Sequence, residues 1–329
     1  MDFRFTEDQQ DLIDAAKAFF DGEVTSENLR ALAGSDLHAR ARVHTYINQS
    51  FHELGLMQLM LPPEVNGLEQ PLEVMAAISE AAAYSGLPGY FVHQAGIILP
   101  LLARIGDLAA VEAFLDSWHS LGLATPLRPH VAMPGHDVFL VTTEEGFVTS
   151  DISEMNLEPI KSIDPLRHIH RVSKTGEQNA VVDHHGAVLT AAQLIGLSQR
   201  MVDMSVEYAK DRHQFGKPIG SFQAIKHHLA TVYTQIEFTR PMVHLAAIKG
   251  GRAVHTAKVA AIDTAILAAE TAVQVHGGMG YTFEVDLHLF MKRAWALCAE
   301  WGDRNYHMKK LEDLILNGDA DLGPGTTFT

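Results

Sequence analysis

The sequence predicts a mainly α-helical protein with a small β insert. Apolar residues recur at helical spacing through 1–119, give way to short β-branched runs between 120 and 186, and return to a helical period over 187–320. Three domains are expected on those bounds: an N-terminal helical domain over 1–119, a short β domain over 120–186 and a four-helix bundle over 187–320. Residues 321–329, rich in Gly, Pro and Thr, read as a flexible tail.

Each element has its own signal. Thr6-Glu7-Asp8 offers an N-cap and two acids in a first turn, followed by Leu12, Ala15, Ala16, Phe19 and Phe20 at helical spacing. A second helix is expected over 38–54, stopped by Gly55, and Pro62-Pro63 with Asn66-Gly67 marks a loop. Helical patterns resume over 71–85, 90–105 and 108–119, punctuated by Gly86, Pro88, Gly89 and Gly106. Strands are expected at Val138–Thr143 and Phe147–Thr149 around a Glu145-Gly146 turn, then at Ile169–Val172 and Ala180–Val182. Val188–Asp211, Ser221–Gly250 and Val254–His276 each carry a long apolar face, and a fourth helix near 284–300 ends before Trp301-Gly302-Asp303.

Composition narrows the function classes. Apolar residues make 47% and charged residues 20% of the chain, which fits a folded globular protein rather than a disordered one. A formal charge of −15 argues against nucleic acid and anionic membrane as partners, so any anion must be met by local basic residues. The single cysteine, Cys298, allows no intrachain disulfide and no cysteine zinc site. The opening residues lack the basic and apolar blocks of a secretory leader, and no apolar run reaches the length of a membrane span. A soluble cytoplasmic protein is expected. The 19 histidines do not point to a metal: His227 and His228 diverge by about 100° on a helix, and Glu-x-x-His is nowhere present.

Two motifs carry the chemistry. Arg212-His213-Gln214-Phe215-Gly216-Lys217-Pro218 leads into Ile219-Gly220-Ser221-Phe222-Gln223, and Gln274-Val275-His276-Gly277-Gly278-Met279-Gly280 follows some fifty residues later. Arg212 brings a permanent charge whose planar fork matches a pyrophosphate. Gly277 and Gly278 lack Cβ atoms, so a phosphate or ribose can lie against the backbone amides. At this spacing the pair resembles the C-terminal signature of the flavin-dependent acyl-CoA dehydrogenases. Leu61-Pro62-Pro63-Glu64-Val65-Asn66-Gly67 looks like a degraded form of that family's Pro-Glu-x-x-Gly-Gly loop. The ending through Trp301-Gly302-Asp303 is similar to short bacterial members, including those acting on steroid side-chain thioesters.

The resemblance implies an acyl-CoA dehydrogenase-like fold and a chain that takes part in Cα–Cβ desaturation of an acyl-CoA, passing electrons through FAD to an electron-transfer acceptor. It assigns FAD contacts to Arg212, Gln214, Phe215, Gln223, Gln274, Gly277 and Gly278. In the family these elements hold the pyrophosphate and adenosine of a neighbouring subunit's FAD, while the flavin ring lies against that neighbour's own β domain. Here the β domain is short and lacks the Trp-Ile-Thr/Ser stretch that walls the ring, and Ala124-Thr125-Pro126 is a remnant of the Thr-Glu-Pro segment.

The chemistry also needs a carboxylate to remove the α-proton. Trp301 falls where the commonest family pattern places it, with Glu300 one residue away. A second pattern places it near Gly186, and short members carry an acid where this chain has Gln193. The reading is therefore a base-less subunit of a heterotetramer, two copies of each chain, completing the FAD site of a homologous partner. Two others stay open: a self-sufficient homotetrameric dehydrogenase using Glu300, and a non-enzymatic helical interaction protein that has lost FAD.

Overall fold

The computed structural model describes residues 4–117, 120–132, 136–143, 146–150, 156–173 and 175–318. The tail expected over 321–329 and the turn position Glu145 lie outside the described residues. Helices α1 (Glu7–Glu23), α2 (Ser26–Ala33), α3 (Leu37–Glu53), α4 (Leu72–Tyr84), α5 (Tyr90–His93), α6 (Leu99–Arg104) and α7 (Leu108–Ser117) form the first part. Thr6 opens α1 with a reciprocal capping box, its hydroxyl accepting from Gln9 N while the Gln9 side chain accepts from Thr6 N. A π-helical stretch, Gln94–Ile98, joins α5 to α6 directly after His93.

The middle of the chain holds two three-stranded sheets. In the first, β1 (Ser120–Ala124) pairs in parallel with β3 (His136–Thr142), which pairs antiparallel with β4 (Phe147–Ser150). In the second, β6 (Ile169–Arg171) lies between β2 (His130–Ala132) and β5 (Glu158–Ile160), antiparallel to both. Ala180–Val182 does not form a strand. It is the first turn of α8 (Ala180–Asp211), because the Asn179 side chain accepts from Val181 N and Val182 N and caps the helix there.

At 32 residues α8 is about 48 Å long and is the central rod of the second helical part. A two-residue-stranded hairpin, β7 (His213–Gln214) with β8 (Lys217–Pro218), follows it. Then come α9 (Gln223–Lys249), α10 (Arg252–His276), α11 (Leu287–Cys298) and α12 (Arg304–Leu316). The helices of both parts share one apolar core, which runs from Phe20 and Phe51 through Met75 and Leu194 to Ile262 and Leu297. No helix among the described residues is long and apolar enough to cross a membrane.

A half-buried histidine beside this core sets a pH limit. His185 Nδ1 donates to Gly96 O at 3.0 Å, and burial lowers the imidazole to about 4. A folded-state pKa below the unfolded value of about 6.5 means that the unfolded chain binds the proton first as pH falls. Stability from this group is therefore full above about 6.5 and declines toward about 4, by about 2 kcal/mol between pH 7 and 5. Urea midpoints should drop over that interval, and His185→Gln should flatten the dependence.

Candidate functional site

The predicted FAD residues converge on one end of the helical bundle. Tyr208, in the last turn of α8, stacks on His276 at the end of α10 with ring centroids 4.4 Å apart. That contact brings the segment opening at Arg212 beside the one opening at Gly277. Ile219 N donates to Arg212 O at 2.8 Å, which folds the hairpin back and places Gln223, the first residue of α9, at the same end. Arg212, Gln214, Phe215, Gln223, Gln274, Gly277 and Gly278 are all exposed there.

The local geometry favours an external ligand. Gly277 has φ of +58°, a conformation side chains rarely adopt, and a Cβ at Gly277 or Gly278 would meet no atom within 4 Å. The space these glycines keep clear is thus open to another molecule rather than filled by this chain. Phe215 turns the hairpin at φ +53° and is 92% exposed, an aromatic held in an uncommon conformation and presented outward. Phe222 meets it edge-on at 6.1 Å, and Lys217 Nζ sits 4.4 Å above the Phe222 ring. Among the described residues no ion pair engages Arg212.

Glu300 lies elsewhere, in the interior between the β strands and α11. It lies just past the end of α11 and is 3% exposed, a buried acid. Arg128 Nε pairs with one carboxylate oxygen, and Arg167 reaches the other at 2.8 Å. His93 and His130 stand 3.5 and 3.8 Å away. Burial alone would raise the carboxyl, but Arg167 and Arg128 override it and hold it well below the usual carboxylate range. Such a carboxylate is a weak proton acceptor.

Trp301 is equally withdrawn from solvent, with φ of +58° and an indole Nε1 that donates to His93 Nε2 at 3.4 Å. Its ring lies against Gly186 of α8. A Cβ at Gly186 would come within 2.2 Å of the indole, so any side chain there must displace it. The two positions expected for a base by the two patterns, near Gly186 and at Trp301, therefore face each other across a glycine–tryptophan contact. Gln193 is buried and accepts from Arg293 at 3.2 Å.

The β side is filled in a related way. The Ala124-Thr125-Pro126 remnant turns at Thr125–Arg128, and Arg128 runs back to donate to Leu123 O and His130 O, both at 3.0 Å. The space left between β1, His93 and Trp301 measures about 20 Å³. That space is too small for a flavin ring, whereas the arginine and the open glycine pair at the exposed bundle end have the chemistry that the phosphate portion of FAD would need.

Arg128, Arg167, Arg293 and His93 were not apparent as a set in the sequence, since they come from four separate segments. The available signal is charge on an apolar helix face: Arg293 falls on the stripe that runs Leu289, Phe290, Ala294 and Leu297.

Comparison with known proteins bears on the family and the fold. The family models "Acyl-CoA dehydrogenase, N-terminal domain" and "Acyl-CoA dehydrogenase, C-terminal domain" match residues 6–120 and 184–313. The acyl-CoA dehydrogenase IpdE2 of Mycobacterium tuberculosis is 30% identical over 247 residues, covering 74% of this chain and 77% of that one. IpdE2 of Mycolicibacterium smegmatis is 26% identical over 313 residues, covering 93% and 98%. Among solved structures, the ChsE4-ChsE5 complex from Mycobacterium tuberculosis superposes with a TM-score of 0.82 at 20% identity, covering 97% of this chain and all of that one. The chain belongs to the acyl-CoA dehydrogenase family.

Proposed function

We propose that this chain is the supporting subunit of a heteromeric, FAD-dependent acyl-CoA dehydrogenase that forms a Cα–Cβ double bond in an acyl-CoA thioester. The observation that carries the proposal is the Gly186–Trp301 contact, which occupies the expected base positions with groups that cannot take a proton. The partner, a homologous subunit, supplies the carboxylate and the wall for the flavin ring. Bound FAD supplies the acceptor for the hydride that leaves the β-carbon. This chain contributes Arg212 and the Gln274-Gly277-Gly278 turn toward the FAD phosphates and adenosine, with Gln214, Phe215 and Gln223 beside them. Likeness in fold to a chain of the ChsE4-ChsE5 complex supports a heteromeric assembly, and likeness to IpdE2 supports an acyl-CoA substrate. Likeness in fold to a chain of the Tcur3481-Tcur3483 steroid acyl-CoA dehydrogenase, at a TM-score of 0.80 and 20% identity, favours a steroid-derived acyl group over a simple fatty one.

The missing base is testable without a redox step. Incubated alone with 3-cyclohexylpropanoyl-CoA in D2O, the chain should leave the α-hydrogens unexchanged by mass spectrometry, while its complex with the partner exchanges them. Exchange by the lone chain would mean that it has a base of its own.

A further inference from the structure

The cavity beside Glu300 has a volume of about 330 Å³ and lies between α2, α3, α5 and α11. Its charges do not balance. Among the described residues, Arg128, Arg167 and Arg293 have two ion-pair carboxylates between them, Glu300 and Asp164. Glu300 already serves two guanidiniums, which leaves Arg293 with Asp164 alone at 3.5 Å. Arg293 is 1% exposed, and its Nε has no hydrogen-bond partner among the described residues. The Tyr90 hydroxyl and His170 Nδ1, which belong to residues lining the same cavity, are also shielded from water and without hydrogen-bond partners among the described residues. A buried guanidinium N–H left unmatched is costly, more so than a neutral group. Leu32, Leu166 and Leu297 make the remaining wall largely apolar.

We propose that this cavity binds a small carboxylate with an apolar body, its oxygens received by the Arg293 guanidinium and the Tyr90 hydroxyl after a small turn of these side chains toward the cavity. An acceptor-only anion completes the donors that the protein leaves unmatched, while the leucines cover its hydrocarbon part. The role is binding, since Glu300 is committed to two arginines. A free acid and an acyl thioester with a distal carboxylate offer the same chemistry. The site needs no flavin and no partner, so its failure and the failure of the proposed function are separable.

Isothermal titration of the full chain with 3-cyclohexylpropanoate and with its neutral amide tests this directly. The acid should bind about tenfold or more tightly than the amide, the range expected of a charge-assisted pair. Ala41→Trp, at the exposed mouth, should abolish binding of both. Arg293→Gln should erase the preference and Arg293→Lys should keep part of it. If Arg293→Gln does not fold, the acid–amide comparison and Ala41→Trp still decide. A second pair, octanoyl-CoA and the mono-CoA thioester of octanedioate, identifies the source. Preference for the latter indicates an acyl-CoA, and preference confined to the free acid indicates an uncombined one. Equal affinity for acid and amide, no binding of either, or binding unchanged by Ala41→Trp would overturn the proposal.

Discussion

Replacing Glu300 by glutamine should cost about 3–5 kcal/mol of folding stability, the range for breaking a buried ion pair and leaving its partner charged. The cause is the stoichiometry around the carboxylate. Arg128 is 3% exposed and the Arg167 side chain 10%, and both point their donors at the same acid. With the acid neutralised, two guanidiniums stay buried without a counter-charge, and neither His93 nor His130 can supply one. Urea denaturation should show a lower midpoint with an unchanged slope. Adding Arg128→Met to Glu300→Gln should recover part of the loss, because it removes one of the stranded charges. A catalytic base behaves differently: its glutamine variant keeps the wild-type midpoint and loses turnover. That pattern would restore the self-sufficient reading of this chain.

Arg212→Gln should have the opposite signature. Its side chain is exposed at the end of α8 and takes part in no ion pair among the described residues, so stability should stay within about 0.5 kcal/mol of wild type. In the complex, however, the guanidinium would face the FAD pyrophosphate. Loss of a charge-assisted, bidentate contact is worth about 1.5–3 kcal/mol, or roughly 10- to 150-fold in FAD affinity. Fluorescence titration of FAD into the apo-complex would read this change. Retention of wild-type affinity would mean that the bundle end does not meet the cofactor. Arg212→Lys should recover only part of the loss, since an ammonium keeps the charge without the planar fork.

The helices were legible where capping and periodicity agreed. Thr6, the apolar faces of α9 and α10, and the stop at Gly55 all signal their elements locally. Helix α2 is amphipathic, with Leu29 and Leu32 on its buried face, but at eight residues it is too short a run to stand out, and β1, β2 and β5 are too short to show alternation. The start of α8 was hidden by Ala180-Val181-Val182, whose β-branched residues suggest a strand, although Asn179 held the cap that decides the matter. Within the candidate site, the exposed half could be read because its chemistry is local: an arginine after a helix and a glycine pair after another. The interior half could not. Glu300 acquires its meaning from Arg128 in a turn, Arg167 before β6 and His93 at a helix end, and only folding brings these together. The Gly186–Trp301 contact is likewise a relation between two residues 115 positions apart, visible only as a close approach in space.

Flavin content and mass of the chain, expressed alone and then with a homologous dehydrogenase subunit, test the central claim most directly. A supporting subunit predicts a colourless chain on its own and a yellow complex whose FAD is equimolar with the partner. A yellow assembly of this chain alone, active on acyl-CoA, would contradict it, and a colourless mixture in which the two chains do not associate would contradict it equally.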